Sequence, residues 1–392
     1  MAVTDQQKID EVLTRGVQEV IVRKDLEQKL RSGKKIRVYF GIDPTGSLLH
    51  LGHAVVLWKL KEFMDLGHEV ILLIGDFTAK IGDPSGRDTT RVPLTDKQIK
   101  ENFKSYKTQA AKILDFSKVK ITYNSAWLSK LRFEDILKLS SHITVQQMIQ
   151  RDMFQKRMKE NLPISVHEFM YPLMQGYDSV AMNVDLEIAG NDQMFNMLVG
   201  RDLQKIYHHK DKDILGMKLL LCTDGRKMSK TYDNAIYLTD EPNDMFGKVM
   251  SIRDDLIDDY VTLCTTIAKP TFENPRDQKV VLAQEIVRMY HGEKAAAAAA
   301  ENFEKIFSRH ETPLDIPVFE TSKTNYPVLD LLFDSHLAES KNDAKRVVEG
   351  GGVEVEFHGQ KVTITNWKQE IELHDGMVIK FGKRKFIKIK LK

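Results

Sequence analysis

Apolar residues along this chain recur at two spacings, and the alternation between them sets the first expectation. Residues 5–30 are charged, but Ile9, Val12, Leu13, Val17, Val20 and Ile21 recur at helical intervals, so an amphipathic helix is predicted there. Residues 37–43 read as a short strand, ended by Pro44 and Gly46. Residues 50–66 return to helical spacing, with Leu51, Ala54, Val55, Leu57, Trp58 and Leu60 on the buried faces. Residues 69–75 hold a continuous apolar run, the pattern of a strand covered on both faces of a parallel sheet. Strand, helix and strand in this order make a βαβ unit with a right-handed crossover. The first half is therefore expected to be doubly wound α/β.

Residues 95–162 are helical and polar, with one strand candidate at 118–122, and read as a candidate insertion between sheet elements. The α/β rhythm resumes with a helix over 169–182, a strand over 185–188 and a helix over 192–203. Residues 241–307 are largely helical, broken at Pro270 and Pro275, and their alanine run at 295–300 reflects intrinsic helix propensity. Pro313, Pro317 and Pro327 mark a loop-like linker over 312–327. Beyond it, two short helices within 328–350 and strands at 353–357, 362–365, 377–381 and 386–391 form a separate α+β module. Its end, KFGKRKFIKIKLK, sets cations beside two phenylalanines with no acid.

Composition narrows the class. The 392 residues are 42% hydrophobic and 29% charged, which excludes a collagen-like, disordered or membrane-spanning chain. The longest apolar runs fall far short of the ~20 residues of a membrane helix. The N-terminal MAVTDQQKIDEV lacks a signal-peptide pattern. Two cysteines make neither a disulfide framework nor a four-cysteine zinc site, so no metal site is expected and a reducing cytoplasm is the default compartment. A net charge of +2 means that any nucleic-acid surface must be local.

His50-Leu-Gly-His53 sits where a helix follows a strand and a turn. The free N–H groups and positive dipole of such a helix start suit phosphate, and two histidines three apart add donors on one face. A metal pair and two ordinary surface histidines are the competing readings. Asp43-Pro-Thr45 adds a carboxylate and a hydroxyl at the same strand end, where open α/β sheets bind ligands. Lys227-Met-Ser-Lys230 is a basic loop whose two lysines can both reach one polyphosphate; alone it also reads as a solvated loop. Gly82-Asp-Pro-Ser-Gly86 makes a tight turn holding Asp83, with Arg87 and Arg91 close behind. Tyr171, Gln175 and Asp178 lie on one helical stripe, suited either to a pocket that binds an amine or hydroxyl or to a solvent face. Gly190-Asn-Asp-Gln193 places an acid at a strand end, where it can hold ribose hydroxyls. Neither a dinucleotide-binding glycine fingerprint nor a P-loop is present.

Taken together, these segments resemble class I aminoacyl-tRNA synthetases, and in particular the bacterial-type tyrosyl-tRNA synthetases, over essentially the whole chain. His50-Leu-Gly-His53 is similar to the HIGH signature of the class, and Lys227-Met-Ser-Lys-Thr231 to KMSKS with Thr in the last place. Val38-Tyr-Phe-Gly-Ile-Asp-Pro-Thr45, Ile81-Gly-Asp-Pro-Ser-Gly86, Tyr171-Pro-Leu-Met-Gln-Gly-Tyr-Asp178 and Gly190-Asn-Asp-Gln193 resemble tyrosyl-specific segments in family order. Phe40 and Glu187 depart from the residues some relatives carry.

The resemblance implies a Rossmann-like parallel-sheet catalytic domain over 1–235, with a dimerisation insertion at about 95–165. A helical anticodon-recognition domain over 236–318 and an S-four-like RNA-binding domain over 327–392 would follow. It implies that Tyr39 and Asp178 bond the tyrosine phenol, and that Asp83, Tyr171 and Gln175 hold its ammonium group, with Thr78 nearby and Gln193 close to the substrate. Thr45 and His50 would bind the terminal phosphate. His53 and Gly52 would lie along the nucleotide, Gly190 and Asp192 would meet the ribose, and Asp43 would belong to the ATP site. Lys227, Lys230, Arg87 and Arg91 would engage the pyrophosphate. ATP as substrate, Mg²⁺ with it, tRNA(Tyr) and a homodimer complete the expectation. Tryptophanyl-tRNA synthetase, a small-molecule adenylyltransferase and a non-enzymatic RNA-binding scaffold are the alternatives.

Overall fold

The computed structural model describes residues 1–85, 94–222, 225–226, 228, 234–307, 316–357, 360–382 and 385–392. The chain divides into two compact units, Met1–Ala300 and Glu301–Lys392.

In chain order the first unit carries α1 (Gln6–Thr14), β1 (Val17–Ile21), α2 (Arg23–Arg31), β2 (Arg37–Ile42), α3 (Leu51–Asp65) and β3 (Glu69–Ile74). Then come α4 (Asp96–Ala110), β4 (Val119–Tyr123), α5 (Ser125–Leu128), α6 (Phe133–Ser140), α7 (Val145–Ile149) and α8 (Asp152–Lys159). They are followed by α9 (Met170–Met182), β5 (Leu186–Gly190), α10 (Met194–His208) and β6 (Asp213–Met217). The helices α11 (Pro242–Met250), α12 (Ile257–Cys264), α13 (Pro275–His291) and α14 (Glu293–Phe307) close the series, and the division between the units falls within α14.

Among the described residues, six strands form one sheet in the order β1-β6-β5-β2-β3-β4. β6, β5, β2, β3 and β4 run parallel, and β1 pairs antiparallel with β6 at the edge. From β2 the chain winds outward through β3 and β4, then returns to place β5 on the other side of β2. Ligands bind at such a reversal, outside the carboxyl ends of the strands. The inner strands are apolar on both faces: Val38, Val70, Ile71, Leu72, Leu73, Leu186, Ile188, Ile214 and Leu215 are buried. Helix α3 packs through Leu51, Leu57, Leu60 and Phe63.

Two expectations change here. Residues 5–30 are not one helix: Gly16, at φ +69°, ends α1, and the β-branched Val17, Val20 and Ile21 join the sheet as β1. Strand β6 carries no clear signal of its own, because it starts inside the charged Lys210-Asp-Lys-Asp213 and has only the four residues Ile214-Leu-Gly-Met217 before Lys218. The strand expected near 118–122 is β4, so part of the 95–162 segment belongs to the central sheet.

The second unit contains β7 (Val318–Thr321), β8 (Asn325–Pro327), α15 (Val328–Asp334), α16 (Lys341–Glu349), β9 (Val353–Phe357), β10 (Gln360–Ile364), β11 (Glu370–Glu372), β12 (Val378–Phe381) and β13 (Lys385–Leu391). Its main sheet runs β10-β9-β12-β13-β7, and β8 pairs with β11. Val328, Leu331, Leu332, Ala344, Val348, Val353 and Ile379 fill its core. The stretch expected as loop over 312–327 therefore supplies two strands; Pro317 precedes β7, Pro327 ends β8, and the Pro317 carbonyl accepts from Lys388 N at 2.8 Å.

Candidate functional site

A cavity of about 240 Å³ opens at the carboxyl ends of β2 and β5. Tyr39, Asp43, Thr45, His50, Gly52, His53, Thr78, Asp83, Tyr171, Gln175, Asp178, Gly190, Asp192 and Gln193 all line it. Every expected site residue that the structure describes thus meets in one place. Lys227, Lys230, Arg87 and Arg91 lie outside the described residues. Met228, between the two lysines in sequence, is described, buried and part of the cavity wall.

One end of the cavity is built around Asp178 and Tyr39. Asp178 lies on α9, which turns Leu173 and Val180 into an apolar cluster shared with α10. Its Oδ1 accepts from Trp127 Nε1 at 2.7 Å and its Oδ2 from Asn124 Nδ2 at 3.2 Å. Burial pushes the Asp178 carboxyl well above the usual carboxylate range, and these two donors pull it back. The Tyr39 hydroxyl bonds Ser179 Oγ at 2.9 Å. Burial, and then the charge of Glu187, hold the Tyr39 phenol well above its ordinary pKa, so it stays protonated.

A second group of bonds runs through Asp43. Thr78 Oγ1 donates to Asp43 Oδ1 at 2.7 Å and the Tyr171 hydroxyl to Oδ2 at 2.9 Å. Asn124 Nδ2 also donates to Thr78 Oγ1 at 3.0 Å, which ties this group to Asp178. Beside it runs a chain of amides. Gln175 Nε2 donates to Glu187 Oε1 at 3.1 Å, Asn196 Nδ2 donates to Gln175 Oε1 at 3.0 Å and to Gln193 Oε1 at 2.8 Å, and Gln193 Nε2 donates to Asp83 Oδ2 at 2.7 Å. Each amide is oriented by its neighbours, so their polar atoms are fixed before any ligand arrives.

The third part is the start of α3. His50 is its N-cap, in extended conformation, and its N–H donates to His53 Nδ1 at 3.2 Å. The two rings stack with centroids 3.8 Å apart. Accepting at Nδ1 fixes the neutral His53 ring as a donor at Nε2. The chain after the lysine motif pairs with this corner: Leu51 N donates to Ile236 O and Leu238 N to Leu49 O, both at 2.9 Å. Leu220, before the motif, also lines the cavity.

A family model described as tRNA synthetases class I (W and Y) matches residues 31–308. The tyrosine–tRNA ligase of Thermotoga maritima is 45% identical over 390 residues, with 96% of each chain covered. That of Aquifex aeolicus is 43% identical over 385 residues, with 96% of this chain and 97% of the relative covered.

This chain belongs to the tyrosine–tRNA ligase family.

Its fold is also that of a class I synthetase. A truncated mitochondrial tyrosyl-tRNA synthetase from Aspergillus nidulans matches with a TM-score of 0.63 at 23% identity, over 76% of this chain and 94% of that one. Several residues in or behind the wall of this ligase's cavity carry no mark in the sequence. Asn124, Trp127, Ser179, Asn196 and Lys212 support the site through bonds, and none lies in a motif that sequence reading singles out for chemistry. Glu187 forms an ion pair with the buried Lys212.

Proposed function

We propose that this chain activates L-tyrosine with ATP, releasing pyrophosphate, and then transfers the tyrosyl group to the 3′ end of tRNA(Tyr). The observation that carries this reading is the Asp178 carboxylate, held by two nitrogen donors beside Tyr39 at the end of a cavity that also reaches the α3 start. A phenol has one proton to give and one oxygen to accept with; Asp178 and Tyr39 match both.

The residue roles follow the bonds described above. Asp83, Tyr171 and Gln175 take the ammonium group, with Thr78 and Gln193 beside them, and Asp43 orients Tyr171 and Thr78. Thr45 and His50 receive the terminal phosphate, His53 and Gly52 lie along the nucleotide, and Gly190 and Asp192 hold the ribose. Lys227, Lys230, Arg87 and Arg91 engage the pyrophosphate. ATP is bound as its Mg²⁺ complex, the ion being held mainly by phosphate and water oxygens.

In the first step a tyrosine carboxylate oxygen bonds to the α-phosphorus as the bond to pyrophosphate breaks. That carboxylate is already a nucleophile, so no protein base is required. The protein contributes alignment and stabilisation of charge on the phosphates. In the second step a terminal ribose hydroxyl of tRNA attacks the carbonyl of the mixed anhydride and AMP leaves.

The second unit is proposed as an S-four-like RNA-binding module, supported by the run of Lys385, Lys388, Lys390 and Lys392 along β13 and its end. A homodimer through the 95–165 region is supported by its exposed apolar side chains, among them Phe133, Leu137, Val145 and Met158. A cytoplasmic location is supported by Cys222 and Cys264, which are buried and not joined in a disulfide. Among the described residues no helix is long and apolar enough to cross a membrane.

Charging of bacterial tRNA with labelled amino acids tests the reading. Label should enter tRNA from tyrosine and in an ATP-dependent way. Charging with tryptophan in its place would overturn the assignment of the phenol pocket.

A further inference from the structure

Lys212 lies one residue before β6 and is fully buried. Its ammonium group pairs with the buried Glu187 carboxylate and donates to Ser179 Oγ at 2.9 Å. Helix α10 makes room for this meeting. A Cβ at Gly200 would stand 2.6 Å from Lys212 Nζ and 2.9 Å from Ser179 Oγ. A buried ion pair is close to neutral for stability once desolvation is counted, which leaves orientation as its use here.

We propose that Lys212 is a positioning residue for substrate specificity: through Ser179 it sets the direction of the hydrogen bond to Tyr39, so that Tyr39 offers its proton to the substrate phenol. This inference rests on reading the cavity as a tyrosine site.

The argument is one of donors and acceptors. An ammonium group only donates, so Ser179 Oγ accepts from Lys212. The single Ser179 proton then faces two acceptors, Tyr39 Oη at 2.9 Å and Glu187 Oε2 at 3.5 Å. The first is a full hydrogen bond and the second is at the limit of one. Glu187 Oε2 is also already engaged by Lys212. Ser179 therefore donates to Tyr39. Tyr39 accepts there, and its own proton is shared between Glu187, whose oxygens already accept from Gln175 and Lys212, and the cavity that Tyr39 lines. Asp178, the neighbour of Ser179 on α9, supplies the acceptor for the phenol proton. Phenylalanine gives no proton to Asp178 and no oxygen to the Tyr39 proton, so the hydrogen bonds that tyrosine makes with this pair are lost. Without the ammonium group, Ser179 is equally able to accept from Tyr39, and the donor aimed at the substrate is lost.

The test measures kcat/KM in pyrophosphate–ATP exchange for tyrosine and for phenylalanine, together with Tm. It uses the full chain and the variants Lys212→Met, Lys212→Met with Glu187→Met, Tyr39→Phe, and Tyr39→Phe with Lys212→Met. Lys212→Met should lower the tyrosine-to-phenylalanine ratio about tenfold or more. The paired Lys212→Met and Glu187→Met variant removes both charges. It should recover Tm while the ratio stays low, and it decides the matter alone if the single variant does not fold. In the Tyr39→Phe background, Lys212→Met should leave the ratio unchanged, because the bond it directs is gone. An unchanged ratio in the paired variant, or an equal fall with and without the Tyr39 hydroxyl, overturns the proposal. A wild-type chain that exchanges with no amino acid overturns the functional reading itself.

Discussion

Asp178 is the side chain on which amino-acid selection is proposed to turn. Its two oxygens are each held by a nitrogen donor, from Trp127 and from Asn124. Replacing Asp178 with Ala should lower kcat/KM for tyrosine activation about 10- to 100-fold, the cost of one lost charged hydrogen bond. Near-wild-type exchange kinetics would remove it from the pocket. Lys230→Ala should slow single-turnover adenylate formation while tyrosine binding survives, because its proposed contact is to pyrophosphate. His68 supplies a pH signature away from the cavity. Burial, and then the nearby Lys35 charge, lower its pKa to about 4. The unfolded chain, with histidine near 6.5, binds this proton more readily, so His68 costs stability as pH falls from about 6.5 to about 4. Urea midpoints of a His68→Gln variant should fall less over that window than those of the wild type; parallel curves would exclude the effect. Tyr39, Asp178 and the histidine pair were legible because they sit in motifs. Lys212 was not, since Lys210-Asp-Lys-Asp213 reads as a solvated charge run, and only the packing of β6 beside β5 and α10 buries it.

At the scale of elements, spacing was informative wherever one period ran unbroken. Helix α3 and strands β2 and β3 fall within a residue or two of the expected bounds, because a two-sided apolar strand and a long buried helix both have strong patterns. It failed where two short elements joined. Residues 5–30 keep helical spacing across α1, β1 and α2, and the break lies in backbone conformation at Gly16 rather than in apolar positions. Strands β7 and β8 were hidden because their partners, β13 and β11, lie some tens of residues onward. Helix α8 is anchored by Arg157, whose guanidinium meets Glu168 at 2.6 Å with both side chains buried. Glu168→Ala removes the buried carboxylate that faces this guanidinium and should cost about 3–5 kcal/mol. Denaturant unfolding measures this directly, and a cost below about 1 kcal/mol would mean that the pair is solvated.

Two tasks are proposed to divide along the chain. The family model ends at residue 308, near the end of α14, and the described part of the second unit has its own sheet and core. A chain ending at Phe307 should keep tyrosine-dependent adenylate formation and lose most tRNA charging, with the full chain's tRNA affinity falling steeply with salt. Charging that survives the truncation at moderate salt would give the tail another role. Overall charge carried little of this, since a net +2 conceals a basic end. The order of motifs carried more: segments far apart in sequence had to converge on one strand reversal, and the described ones do. This cavity is proposed to recognise a phenol and to activate the amino acid that bears it. Pyrophosphate–ATP exchange with each amino acid offered singly tests it most directly. Exchange with tyrosine, and at most a trace with phenylalanine, is the predicted result. Exchange with tryptophan, or with none in a folded protein supplied with Mg²⁺, would contradict it.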